Sequence, residues 1–148
     1  MKKEFARIAA VVGLALCFDS AYAQEITVAD LKSKGAVLLS AEELKAFLPG
    51  ATARFETAEY AYQMKLEAGG TTSGSFVKRL GGRQMVQFVG DWNLSDDGRW
   101  CGTQRSYRSN EVVLKYCRDV LKLGDAYYYA GGNKNNDQRP VTEMKVSR

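Results

Sequence analysis

The sequence predicts a mainly β domain: a small antiparallel barrel or rolled sheet of about eight strands, preceded by one or two short helices. Three observations carry this. After Gly50, segments of five to nine residues rich in aromatic and β-branched side chains alternate with glycine-bearing turns. In one of them Tyr60, Tyr62, Met64 and Leu66 recur at every second position, the period of a strand with one buried face. Between these segments no helix-length pattern intervenes, which excludes parallel strands joined by crossover helices. The remaining solution is a meander closed or folded on itself.

The chain begins with a different texture. Met1-Lys2-Lys3, with Arg7 close behind, is a short basic start. The run Ile8 to Phe18 is apolar, and Ala21-Tyr22-Ala23 puts small residues at the −3 and −1 positions of a cleavage site. Basic start, apolar middle and A-x-A end make a secretory signal. The apolar run is eleven residues long, whereas a spanning helix needs about 20. Residues 1–23 are therefore expected to be a cleavable signal peptide, and 24–148 a single domain without a membrane span. Cys17 follows Leu14-Ala15-Leu16. A lipidation box requires a small residue in the place of Leu16, so Cys17 is read as apolar filler that leaves with the leader.

The mature domain opens with two helical pieces. Thr27 is placed to cap a turn over Val28 to Lys34 that Gly35 stops. Ser40 and Glu43 form an S-x-x-E capping box for a helix Ala41 to Phe47. That helix sets Leu44, Phe47 and Leu48 on one side and ends at Pro49-Gly50. These helices are expected to plug one end of the sheet or cover an edge. The strands follow in order: one around Phe55, then Tyr60 to Leu66, a loop at Ala68 to Gly74, and a strand Phe76 to Leu80. Gly81-Gly82 turns the chain. Met85 to Val89 and Trp92 to Leu94 are strands joined through Gly90. Asp96-Asp97-Gly98 is a hairpin turn of the D-G type. Trp100 to Tyr107 and Val112 to Leu121 flank a second hairpin at Ser109-Asn110. Gly124-Asp125 turns into Ala126 to Ala130, Gly131 to Arg139 reads as a mobile polar loop, and Val141, Met144 and Val146 mark a last strand.

Loss of the leader removes Lys2, Lys3, Arg7, Glu4 and Asp19, taking 21 bases and 17 acids to 18 and 15, a net charge of +3. So mild a charge is not the footprint of a nucleic-acid binder. Two cysteines remain, Cys101 and Cys117. An exported chain meets an oxidising compartment, where an even count implies a bridge. On neighbouring strands of the predicted hairpin, the bridge ties the strands together and stabilises by about 3 kcal/mol.

The stretch Leu39-Ser40-Ala41-Glu42-Glu43-Leu44, closed by Leu48-Pro49-Gly50, continues in Gly90-Asp91-Trp92-Asn93-Leu94-Ser95-Asp96-Asp97-Gly98-Arg99-Trp100-Cys101. It resumes at Cys117-Arg118-Asp119-Val120 and Gly124-Asp125-Ala126-Tyr127-Tyr128. Together these resemble a domain-of-unknown-function family of short exported proteins from Gram-negative bacteria. The resemblance implies a small β-rich exported domain with its two cysteines paired. It implies no activity. Where the family shows a tryptophan between its cysteines, Ser106-Tyr107 stands here.

The chain has no histidine, so neither a serine–histidine nor a cysteine–histidine nucleophile exists, and no histidine-based metal site. Asp91, Asp96, Asp97 and Asp125 all fall at predicted turns, where aspartate bonds the local backbone. No phosphate loop occurs, and Asn133-Lys134-Asn135-Asn136-Asp137 lacks the closing glutamate of a calcium loop. The expectation is a chain without catalytic residues, cofactor or metal. The suggestive surface is arginine and tyrosine: Arg105, Tyr107 and Arg108 beside Arg99 near one hairpin, and Tyr128, which points opposite to Tyr127 and Tyr129. Such pairs suit anionic glycans, peptides or protein partners. The expected role is a periplasmic or secreted non-enzymatic binding protein with those four as contact residues. Its partner would be a protein, an envelope glycan or a small ligand. The rivals are a small carboxylate-based hydrolase and a purely structural envelope component.

Overall fold

The computed structural model describes residues 25–81 and 84–148; the predicted signal, residues 1–23, lies outside the described residues, as does Gly82 of the predicted Gly81-Gly82 turn. Eleven elements follow in order among the described residues. They are α1 (Val28–Ser33), β1 (Val37–Leu38), α2 (Ala41–Phe47), β2 (Thr52–Glu56), β3 (Tyr60–Leu66), β4 (Thr71–Lys78), β5 (Met85–Leu94), β6 (Trp100–Ser106), β7 (Val112–Leu123), β8 (Ala126–Ala130) and β9 (Thr142–Ser147). From β2 to β9 each strand pairs antiparallel with the next, and β9 returns to β2. The result is a closed eight-stranded up-and-down barrel, with β1 added on β7. No helix among the described residues is long and apolar enough to cross a membrane.

Alternation along the strands fills the barrel. Phe55, Met64, Leu66, Phe88, Trp92, Trp100, Val120, Tyr129 and Met144 form one buried cluster inside it. Eight strands leave an interior just wide enough for side chains or one small ligand. The helix α2 plugs one end. Its capping box forms as the sequence predicts, with the Ser40 hydroxyl accepting from the Glu43 backbone and the Glu43 carboxylate accepting from the Ser40 backbone. Leu44 and Leu48 are fully buried in the barrel core, and Phe47 stacks on Tyr127 at 4.3 Å. Each such leucine contributes roughly 1.5–3 kcal/mol by leaving water. The helix α1 lies outside the wall instead, where Val28 packs on Leu121 and Ala130.

Three expectations change. Ala68 to Gly74 is not all loop: β4 already begins at Thr71, and the turn is confined to Glu67–Gly70, where Gly70 takes a φ of +85°. Met85 to Leu94 is one strand, because Gly90 stays in the ladder with its Cα facing the Thr103 carbonyl so closely that no Cβ fits. Gly131 to Arg139 is not free: the backbone N–H groups of Val28 and Ala29 donate to the Arg139 and Asp137 carbonyls, and Arg139 itself is buried.

The strand β7 exchanges partners halfway. Val112 to Arg118 pair with β6 along one edge, and Asp119 to Leu123 pair with β8 along the other. β1 takes over the β6 edge at Leu121 and Lys122. Among the described residues, the edge of β7 that would meet β8 has no strand partner from Val112 to Arg118. Cys101 and Cys117 stand directly opposite each other on β6 and β7 and are bridged.

Candidate functional site

The β6–β7 hairpin sorts its residues by parity. The cross-strand pairs Trp100–Arg118 and Gly102–Tyr116, with Gln104 opposite Leu114, face inward, and the disulfide between them faces out. Gly102 makes room for the arrangement: a Cβ there would lie 2.6 Å from the Tyr116 hydroxyl. With hydrogen in that place, the Tyr116 ring lies across β6 toward Trp100, the two centroids 5.4 Å apart.

Arg118 is therefore inside the barrel, with 7% of its surface exposed. Its guanidinium carbon lies 4.4 Å from the ring centroids of both Tyr116 and Tyr129, 5.2 Å from Phe55 and 5.5 Å from Trp100. The four cation–π contacts, at about 0.5–2 kcal/mol each, offset much of the several kcal/mol that desolvating an ion costs, without neutralising its charge. No carboxylate balances the charge. No acid occupies an inward strand position among the described residues, and Arg118 forms no ion pair there. The phenols do not supply an anion either. Burial pushes Tyr116 up to about 12 and raises Tyr62, so both are neutral at physiological pH. Burial also lowers the pKa of Arg118, opposed by Tyr129, Tyr116 and Tyr62. Arginine nonetheless keeps its proton in proteins.

Along the same two strands five buried polar atoms are poorly met among the described residues. Arg118 Nη1 and both amide atoms of fully buried Gln104 have no hydrogen-bond partner, and Trp100 Nε1 and the Tyr116 hydroxyl have none beyond a loose contact with each other. Trp100 stands directly opposite Arg118, and Gln104 sits diagonally across the ladder from Tyr116, two inward positions along from that pair. An unmet buried polar group costs about 1–3 kcal/mol, and native proteins leave few. Two other polar groups in the interior are met: the Trp92 indole N–H donates to the Glu67 carbonyl and the Thr72 hydroxyl to the Lys65 carbonyl. Among the described residues the buried side-chain atoms without a hydrogen-bond partner lie on β6 and β7, apart from Arg99 Nε, which faces Asp119 at 3.3 Å. Partly buried Tyr60, Tyr62 and Phe76 line the barrel at the end opposite α2.

The residues singled out from the sequence lie elsewhere. Arg105 faces outward near the tip of β6, Tyr107 is 68% exposed, and Arg108 is exposed in the turn that follows. Tyr128 is on the outer face of β8, between Leu121 and Glu143. Arg105 stands opposite Val112 and Tyr128 opposite Leu121, with roughly 30 Å of strand between them. The structure keeps the first three together and does not bring Tyr128 to them. Of the aspartates considered, Asp91 faces outward on β5, Asp96 and Asp97 are in the β5–β6 turn, and Asp125 is in the β7–β8 turn.

The outer wall carries a broad concavity of about 730 Å³ over β9, β2, β3 and β4, with Arg54, Glu56, Gln63, Glu143 and Lys145 among its lining. Three of those groups are bonded: Arg54 donates to Gln63, and Arg79 pairs with Glu56. It has no unmet buried polar atom, so the interior is the stronger site. The sequence assigns no site role to Trp100, Gln104, Tyr116 or Arg118, although Trp100 and Arg118 stand in the family-like motifs, yet a signal was there. If Cys101 and Cys117 oppose each other, Arg118 and Trp100 necessarily share the opposite face.

No protein-family model, curated protein or solved structure matches the chain. The family resemblance of the Ser40 to Tyr128 motifs rests on those motifs alone.

Proposed function

We propose that the chain is a non-enzymatic binding protein of the periplasm or the extracellular space that receives a small molecule inside its barrel. One observation carries this reading: among the described residues the Arg118 guanidinium is buried between four aromatic rings with no acid facing it and Nη1 unpartnered, and on the neighbouring strand the buried Gln104 amide is unpartnered too. A folded protein retains such a deficit where something else completes it. The disulfide supports an oxidising compartment. Against the hydrolase, the candidate aspartates stand in turns and on the outer face instead of opposing one another in a cleft.

The test is a high-resolution crystal structure of the processed protein recovered from the cell envelope, with native mass spectrometry of the same sample. A bound organic molecule contacting Arg118 or Gln104, and a matching added mass that denaturation releases, is the expected result. A barrel in which ordered waters alone meet all five atoms, at the mass of the bare chain, overturns the proposal.

A further inference from the structure

We infer that the ligand is a small monocarboxylate with an apolar body, its carboxylate set against the Arg118 guanidinium. This rests on the interior-binding reading and deepens it. Arg118 Nη1 is a donor with no partner among the described residues, and Gln104 Nε2 farther along β6 is another. An ionised carboxylate is acceptor-only, with about four lone-pair sites. Its charge also matches. The interior holds one guanidinium and no inward acid, so a single negative charge neutralises it, whereas a dianion such as a phosphate monoester leaves a net negative charge among aromatic rings.

The missing acid excludes a further class. A zwitterion such as a free amino acid brings an ammonium for which the interior offers no carboxylate, and burying that charge unpaired is costly. The rest of the lining sets the body of the ligand. Phe55, Tyr62, Phe76 and Phe88 form a continuous aromatic series, with successive centroids at 4.9, 5.1 and 6.4 Å. Such a surface, apolar but for the Tyr62 hydroxyl, suits an alkyl chain or a single ring better than a sugar.

The experiment is a titration of the purified processed protein, after removal of any bound ligand by reversible denaturation. Tryptophan fluorescence is the readout, because the Trp100 ring lies beside the site. One probe series is hydrocinnamate, its neutral amide, and phenylalanine, which differs from hydrocinnamate only by the ammonium. The second is octanoate, octanamide and octyl phosphate. In at least one series the carboxylate binds saturably, and its amide, zwitterion or phosphate counterpart binds about tenfold or more weakly. Arg118→Met reduces the carboxylate to the level of the amide, and Arg118→Lys, which keeps the charge, preserves the order of preference. If amide and carboxylate bind wild-type protein equally, the carboxylate inference falls and interior binding stands. If octyl phosphate or phenylalanine binds best, the charge argument falls in the same way. If no probe in either series binds at millimolar concentration, both readings fall.

Discussion

Arg118 and Asp119 are adjacent in the chain and lie on opposite sides of the barrel wall. The side chain of Arg118 enters the interior among four aromatic rings, while Asp119 points outward to Arg139 at 2.7 Å and Arg99 at 3.3 Å. Strand alternation forbids the ion pair that sequence adjacency invites. It leaves one buried carboxylate shared by two arginines outside and one buried guanidinium without an acid inside. The outer arrangement is structural: Arg139 also donates to the Gly131 and Lys134 carbonyls, and Arg99 to the Cys117 and Gly132 carbonyls. Asp119 thereby pins the long β8–β9 connection to the wall.

Asp119→Ala is expected to be the most damaging single substitution in this region. It strands two arginines with little exposure, and removing one partner from a buried ion pair costs about 3–5 kcal/mol. Urea denaturation followed by circular dichroism measures the loss, and limited proteolysis should show first cleavage between Gly131 and Arg139. A loss within about 0.5 kcal/mol, the range of ordinary surface substitutions, contradicts the structural assignment of the triad.

Arg118→Met is expected to behave oppositely in the ligand-free protein. An uncompensated buried charge replaced by an apolar side chain of similar length relieves desolvation, and related exchanges of buried ions stabilise by about 1–4 kcal/mol. Lost cation–π contacts offset part of that, so the net expectation is a gain of about 1 kcal/mol in denaturant unfolding. A loss of about 2 kcal/mol or more makes Arg118 a structural residue and removes the main support for a binding site.

Much of the fold was legible because barrels obey a period of two, and α2 carries its own capping box. The missed features depend on partners remote in the chain. Thr71-Thr72-Ser73-Gly74 reads as loop by composition, and only the ladders with β3 and β5 make it strand. Val37 and Leu38 are too short a run to register, and pair because β7 outlasts β6. The segment from Gly131 to Arg139 is polar throughout, and its anchoring depends on Asp119 and α1. The site was hidden for a related reason. Arg118-Asp119 looks like a solvated charge pair, and Gln104 like a surface residue. Exposed arginines and tyrosines at the hairpin tip drew attention instead. The register imposed by Cys101 and Cys117 was the one local clue that Arg118 faces inward.

Two glycines separate fold from site. At Gly90 a Cβ collides with the Thr103 carbonyl, which is backbone and cannot move aside. Gly90→Ala is expected to cost roughly 3 kcal/mol or more, through overpacking and ladder distortion. At Gly102 an added Cβ meets the Tyr116 hydroxyl as well as the Asp91 carbonyl. Gly102→Ala should therefore both destabilise and turn the Tyr116 ring away from Arg118. Near-ultraviolet circular dichroism and probe titration on the folded fraction check this. Full probe affinity in Gly102→Ala would place Tyr116 outside the site.

The disulfide is predicted to stabilise without shaping the interior. Cys101 and Cys117 are sixteen residues apart and face away from the core. Closing a loop of that size contributes about 3 kcal/mol. The double substitution Cys101→Ser/Cys117→Ser should lower the urea midpoint accordingly and leave the affinity of the folded protein for its best probe unchanged. A change in affinity with the fold intact would mean that the bridge tensions β6 and β7 into their binding arrangement.

Tyr116 gives the interior a signature at high pH. Its pKa is raised from 10.0 to about 12 because burial disfavours the phenolate. A raised folded-state value means that the folded chain holds the proton more tightly than the unfolded chain. The associated stability is complete below pH 10 and is lost as pH climbs from 10 to about 12. A shift of that size corresponds to an order of 2–3 kcal/mol. Wild-type protein should lose stability over that window, and Tyr116→Phe should flatten the decline while removing one late-titrating phenol from the ultraviolet absorbance titration. The same substitution removes a hydroxyl whose sole neighbouring partner is the Trp100 indole, without touching the guanidinium. It should change the neutral-pH stability of the ligand-free barrel by no more than about 1 kcal/mol and weaken carboxylate probes less than Arg118→Met does. A steeper alkaline decline in Tyr116→Phe would show that the phenol is not the group titrating inside the barrel.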